Sequence, residues 1–104
     1  MLYYIYKLLF IATKWGIEMQ EFMRKFTHLN GESGKVLLEH CLFDKQVFYC
    51  DVLQTIEDDE RIGLVLKGHD IFVYKQQIQL AKTHDNLYIL SDGRVTITVI
   101  VNKL

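Results

Sequence analysis

Along the first quarter of the chain, apolar side chains return every third or fourth residue. Leu8, Ile11, Trp15, Met19, Phe22 and Phe26 fall on one stripe, and Lys7, Lys14, Glu18, Glu21, Arg24 and Lys25 lie mostly off it. That period predicts one amphipathic α-helix over 1–29. The apolar run 2–12, interrupted by Lys7 and closed by Lys14, is shorter than the roughly 20 residues a membrane-spanning helix needs. No small-residue cleavage site follows it. The polar face is mixed in sign, so the helix is expected to lie across its own domain or a neighbouring subunit and not on a membrane. Trp15-Gly16 also forces the codons TGG-GGN, a run of G bases at the distance from Met19 where a bacterial ribosome-binding site sits. On that ground the natural chain is expected to start at Met19, with 1–18 an extension.

The period changes at Asn30-Gly31-Glu32-Ser33-Gly34, a cluster of turn formers that ends the helix. Runs rich in β-branched and aromatic residues follow, and 30–104 is read as one small β-domain. Segments 35–43 and 47–56 are expected to pair about a tight turn at Asp44-Lys45-Gln46. Segments 61–67 and 70–81 flank Gly68-His69, and 87–91 and 95–101 flank Asp92-Gly93. A type I′ turn at Asp92-Gly93 would set Leu90 opposite Val95 and Tyr88 opposite Ile97. The expected fold is mainly β with an N-terminal α-helix: a small bent antiparallel sheet, or an SH3-like or Sm-like barrel with an extra C-terminal hairpin. Its core candidates are Leu64, Leu66, Phe72, Tyr88, Leu90, Ile97 and Val99.

Composition narrows the function. The 104 residues suffice for one core, and twelve Lys plus Arg against thirteen Asp plus Glu leave a net charge of -1. A general nucleic-acid packager would be strongly basic, so any RNA or DNA site must be local. Two cysteines make no disulfide framework, and with no cleavable signal a reducing cytoplasm is the expected compartment.

Candidate chemistry is sparse. The sequence has no nucleophile elbow, Walker loop, dinucleotide-binding glycine turn or His-Glu-x-x-His, so no catalysis is expected. His40, Cys41 and Cys50 are soft ligands, but without a fourth donor they are better read as strand residues, and no metal or small-molecule cofactor is expected. A Cys41–Cys50 disulfide fits poorly, because the expected turn makes the two diagonal neighbours. Glu57-Asp58-Asp59-Glu60 lacks the alternation and glycine of a calcium loop and reads as a solvated turn. His28, His69 and His84 lie beside turn residues, where imidazole is usually a surface group.

One segment points further. Val73-Tyr74-Lys75-Gln76-Gln77-Ile78, preceded by the apolar run Arg61-Ile62-Gly63-Leu64-Val65-Leu66-Lys67, resembles the Sm-like (Hfq-like) RNA-binding family, whose fourth strand carries a Val-Tyr-Lys-His-x-Ile signature. Gln20-Glu21-Phe22 is similar to that family's glutamine-bearing helix, and the likeness runs from about Gln20 to Leu80. The resemblance implies a ring of subunits, hence a homo-oligomer, binding single-stranded RNA. Gln20, Tyr74, Lys75 and Gln76 would then be the RNA-binding residues, with Tyr74 and Lys75 near the pore.

The sequence departs from the family's pattern in four places, the first being that the glycine that lets the long second strand bend is absent from Tyr49 to Gln54. Gln76 stands where the family has histidine, keeping a base-edge hydrogen bond without the imidazole. The acidic run 57–60 replaces an aromatic loop and adds charge that repels phosphate. Residues after Ala81 add a hairpin that would block a strand-to-strand ring. Read without the resemblance, Val73 to Ile78 is an alternating strand, and the alternative function is an SH3-like β-barrel acting as a protein–protein interaction module.

Overall fold

In the computed structural model, which describes residues 19–40 and 43–102, residues 19–27 form helix α1. The remaining elements are strands β1 (Gly34–His40), β2 (Phe43–Cys50), β3 (Thr55–Glu57), β4 (Arg61–Leu66) and β5 (His69–Tyr74), a single 3-10 turn (Lys75–Gln77), and strands β6 (Leu80–His84), β7 (Leu87–Ser91) and β8 (Val95–Val101). The chain is therefore mainly β with one N-terminal helix. The stripe residues Leu8, Ile11 and Trp15 and the proposed extension 1–18 lie outside the described residues. No helix among the described residues is long and apolar enough to cross a membrane.

All strand pairs are antiparallel. They form a five-stranded sheet, β2-β1-β8-β7-β6, and a three-stranded sheet, β3-β4-β5, with no single closed barrel. The chain crosses between the sheets at residues 51–54, between β2 and β3, and again at the 3-10 turn and the residues that follow it, between β5 and β6. One core joins both sheets to the helix: Phe22, Phe26 and Leu29 pack with Val36, Leu53, Ile62, Leu64, Leu66, Val73, Leu90, Ile97, Val99 and Val101. Leu53 ties the first crossing to the end of the helix, its N–H donating to Glu32 O at 2.7 Å and its carbonyl accepting from Gly31 N at 2.8 Å.

Several expectations need correction. The runs 47–56 and 70–81 are each two strands, because a continuous strand cannot serve both sheets and the chain must bend where it changes sheet. The first hairpin does not turn at Asp44-Lys45-Gln46. Those residues lie in β2, where Gln46 pairs with Leu38 and Val47 with Leu37, and a register shift follows before His40 pairs with Phe43. Phe48 stands opposite Val36 and Cys50 opposite Gly34; Cys41 lies outside the described residues. Phe72 is only partly buried, and Tyr88 packs on the core from its margin. The other five core candidates are buried.

The hairpin about Asp92-Gly93 exists, with a different turn. Leu90 pairs with Ile97 and Tyr88 with Val99, and only Gly93 takes a positive φ, at 87°. Asp92 Oδ1 accepts from the N–H groups of Arg94 and Val95 at 2.9 and 2.8 Å, which lengthens the loop beyond two residues. Positive φ at two successive residues occurs instead at Lys67-Gly68, at 51° and 79°. A Cβ on Gly93 would lie 2.6 Å from the Gln79 side chain. Gly93→Val is expected to cost about 1 kcal/mol or more, from strained φ and displacement of Gln79. A thermal melt followed by circular dichroism checks it, and an unchanged Tm would contradict this loop geometry.

Candidate functional site

The resemblance segment sits where β5 ends. Val73, paired with Ile62 of β4, is buried in the core, and Tyr74 is 43% exposed. Lys75, Gln76 and Gln77 form the 3-10 turn, so the alternation expected through Ile78 stops at Tyr74. Lys75 N donates to Glu60 O at 2.8 Å, which pins the turn against the acidic run.

Glu57 is the last residue of β3, and Asp58 organises the loop after it. Asp58 Oδ1 accepts from Glu60 N at 2.8 Å and Arg61 N at 2.7 Å, and Asp58 Oδ2 takes the Arg61 guanidinium at 2.8 Å. The Glu60 N–H first, then the Arg61 side chain, hold the Asp58 carboxyl below the ordinary carboxylate value, and the same contact raises Arg61 above its own. Arg61 lies 4.9 Å over the Phe72 ring, which meets Tyr74 edge-on at 5.4 Å. Lys75 Nζ reaches Glu57 Oε1 at 2.7 Å.

A shallow cleft of about 350 Å³ is bounded by Asp59, Glu60, Tyr74, Gln76 and Gln77. Tyr74 and Gln76 therefore share a surface. Lys75 is joined to Glu57, and among the described residues the side chains of Asp59 and Glu60 have no cationic partner. Gln20 is exposed on α1, whose Phe22 and Phe26 pack against Tyr88 of the other sheet.

A second surface escaped the sequence reading. β2 is an edge strand of eight residues, and among the described residues three of the four exposed large apolar side chains lie on it or just beyond: Val47 at 45%, Tyr49 at 80% and Val52 at 61%. Beside it runs a groove of about 480 Å³ between Phe48, Tyr49 and Cys50 on one side and Val65, Leu66, Lys67 and Gly68 on the other. Lys67 Nζ lies 5.5 Å over the Phe48 ring and Lys35 Nζ lies 5.7 Å over Tyr49. Burial, and secondarily Asp51, raises the Cys50 thiol pKa. The available signal was Val47-Phe48-Tyr49-Cys50, four consecutive apolar residues, which on an edge strand must leave one apolar face uncovered.

Compared with protein-family models, with curated proteins and with solved structures, the chain has no match. The other edges are less suited to receiving a strand: β3 has three residues, β5 begins with exposed His69 and Asp70, and β6 carries exposed Lys82 and His84 with α1 alongside.

Proposed function

We propose that this protein is a non-catalytic interaction module that receives an extended protein segment along β2. The observation that carries the reading is the eight-residue edge bearing Val47 and Tyr49, unpaired among the described residues, with a groove of mixed polar and apolar lining beside it. An open edge offers unpaired N–H and C=O groups to an added strand, and alternate side chains supply selectivity.

Single-stranded RNA binding by a Sm-like ring is the second reading, favoured by Tyr74 and Gln76 sharing one cleft. Tyr74 would stack a base and Gln76 would read its edge. Its weakness is electrostatic: Lys75 is engaged by Glu57, and Asp59 and Glu60 face any phosphate there with negative charge.

Amide NMR titrations distinguish the two. A short alternating Val-Thr peptide in large excess, enough to displace any strand already on the edge, is expected to shift amides of β2 and its neighbour β1, whereas uridine-rich and adenine-rich oligomers at low salt are expected to shift none. Oligomer-induced shifts at Tyr74, Lys75 and Gln76, lost in Lys75→Ala, would replace the interaction reading with the RNA reading.

A further inference from the structure

Resting on strand addition at β2, we propose that the occupant of this edge is β2 of a second copy, giving a two-fold dimer in which the five-stranded sheets join into one.

The register follows from geometry. A two-fold axis perpendicular to the sheet keeps the outer face of one copy beside the outer face of the other, so odd positions must meet odd and even must meet even. On β2 the exposed face carries Val47 and Tyr49, and Phe48 and Cys50 pack toward the core. With the axis at Phe48, Val47 stands opposite the second copy's Tyr49, and Lys45 comes level with the second copy's Asp51, the exposed residue just past the end of β2. Each contact occurs twice. Apolar meets apolar at Val47 and Tyr49, and cation meets anion at the strand's end.

Shifting the axis destroys this match. At Val47 the axis sets Lys45 against Tyr49, and Asp51 loses its cation. At Tyr49 it sets Val47 against Asp51, and Lys45 loses its anion. Charge complementarity therefore selects one register, and a foreign strand would have to reproduce that sequence of charges to fit as well. The half-buried Phe48 rings of the two copies meet on the groove side, where Lys67 already caps each ring. The Lys45 ammonium is free to take part: its contact with Glu39 is long, at 3.9 Å, and it is 72% exposed.

The test is sizing by light scattering on the full chain, with charge reversal as the probe of register. Wild type is expected at twice 12.3 kDa. Lys45→Asp alone and Asp51→Lys alone are expected to run as monomers, and the double variant Lys45→Asp/Asp51→Lys to return to the dimer. Tyr49→Lys is expected to give a monomer with an unchanged circular dichroism spectrum, since that side chain is 80% exposed and carries no core packing. A dimer that the single reversals leave intact, or that the double reversal fails to restore, overturns the register. If wild type is monomeric and the Val-Thr peptide still shifts β2 amides, self-pairing is wrong and strand addition stands. If wild type is monomeric and the peptide shifts nothing, both fall.

Discussion

Phe26→Ala is expected to remove about 3–5 kcal/mol of folding stability, the usual cost of deleting a buried phenylalanine ring. Phe26 is fully buried, stacks on Phe22 with ring centroids 5.6 Å apart and meets Tyr88 edge-on at 6.5 Å. Its loss would leave a cavity where the helix closes the core, and the helix cannot slide inward because Leu53 and Gly31 anchor its end through backbone hydrogen bonds. A total stability of about 5–15 kcal/mol is typical of such domains, so a large share would be lost. Urea unfolding followed by circular dichroism measures it. A change below about 1 kcal/mol would mean that α1 is not part of the cooperative unit.

Gly63→Ala should be nearly as damaging, by the opposite mechanism. Gly63 pairs with Phe72 in the centre of the three-stranded sheet. A Cβ there would collide with the Ile71 carbonyl oxygen and come within 2.5 Å of Phe72 Cα. Both are backbone atoms of β5, so no side chain can rotate away and the strands must separate. The expected cost is about 3 kcal/mol, the upper end of ordinary overpacking, with a Tm lower by more than about 10 °C. Differential scanning calorimetry would show it, and a Tm within about 2 °C of wild type would mean that β4 and β5 approach less closely than described.

These two positions show what could be read in advance. Phe22 and Phe26 declared themselves by helical spacing, and Leu64, Leu66, Leu90, Ile97 and Val99 by strand alternation, because burial on one face leaves a period. Gly63 left no such trace; the collision that requires glycine comes from a strand paired across a hairpin. The breaks at 51–54 and 75–77 were hidden for a related reason. Residues on both sides of each break are apolar, and a change of sheet alters the partners without altering the composition. At the candidate sites, Tyr74 and Gln76 do share a cleft, whereas the Lys75–Glu57 ion pair joins residues far apart in sequence. The open edge at β2 was missed because exposure of an apolar strand depends on which strands remain unpaired once the sheet order is known.

The position of β8 affects how the protein is made. It lies between β1 and β7, so the β2-β1 half of the sheet has no further partner until residues 95–101 have been synthesised. On the ribosome β1 and β2 emerge early and wait as a two-stranded ribbon, a unit of marginal stability in water. Long-range closure of this kind slows folding and prolongs exposure of apolar strands. During that interval Val36, whose final neighbour is Val99, remains uncovered along with the β2 edge. Nascent chains on adjacent ribosomes would therefore display the same adhesive surface before either has folded, and assembly of two copies would compete with completion of each.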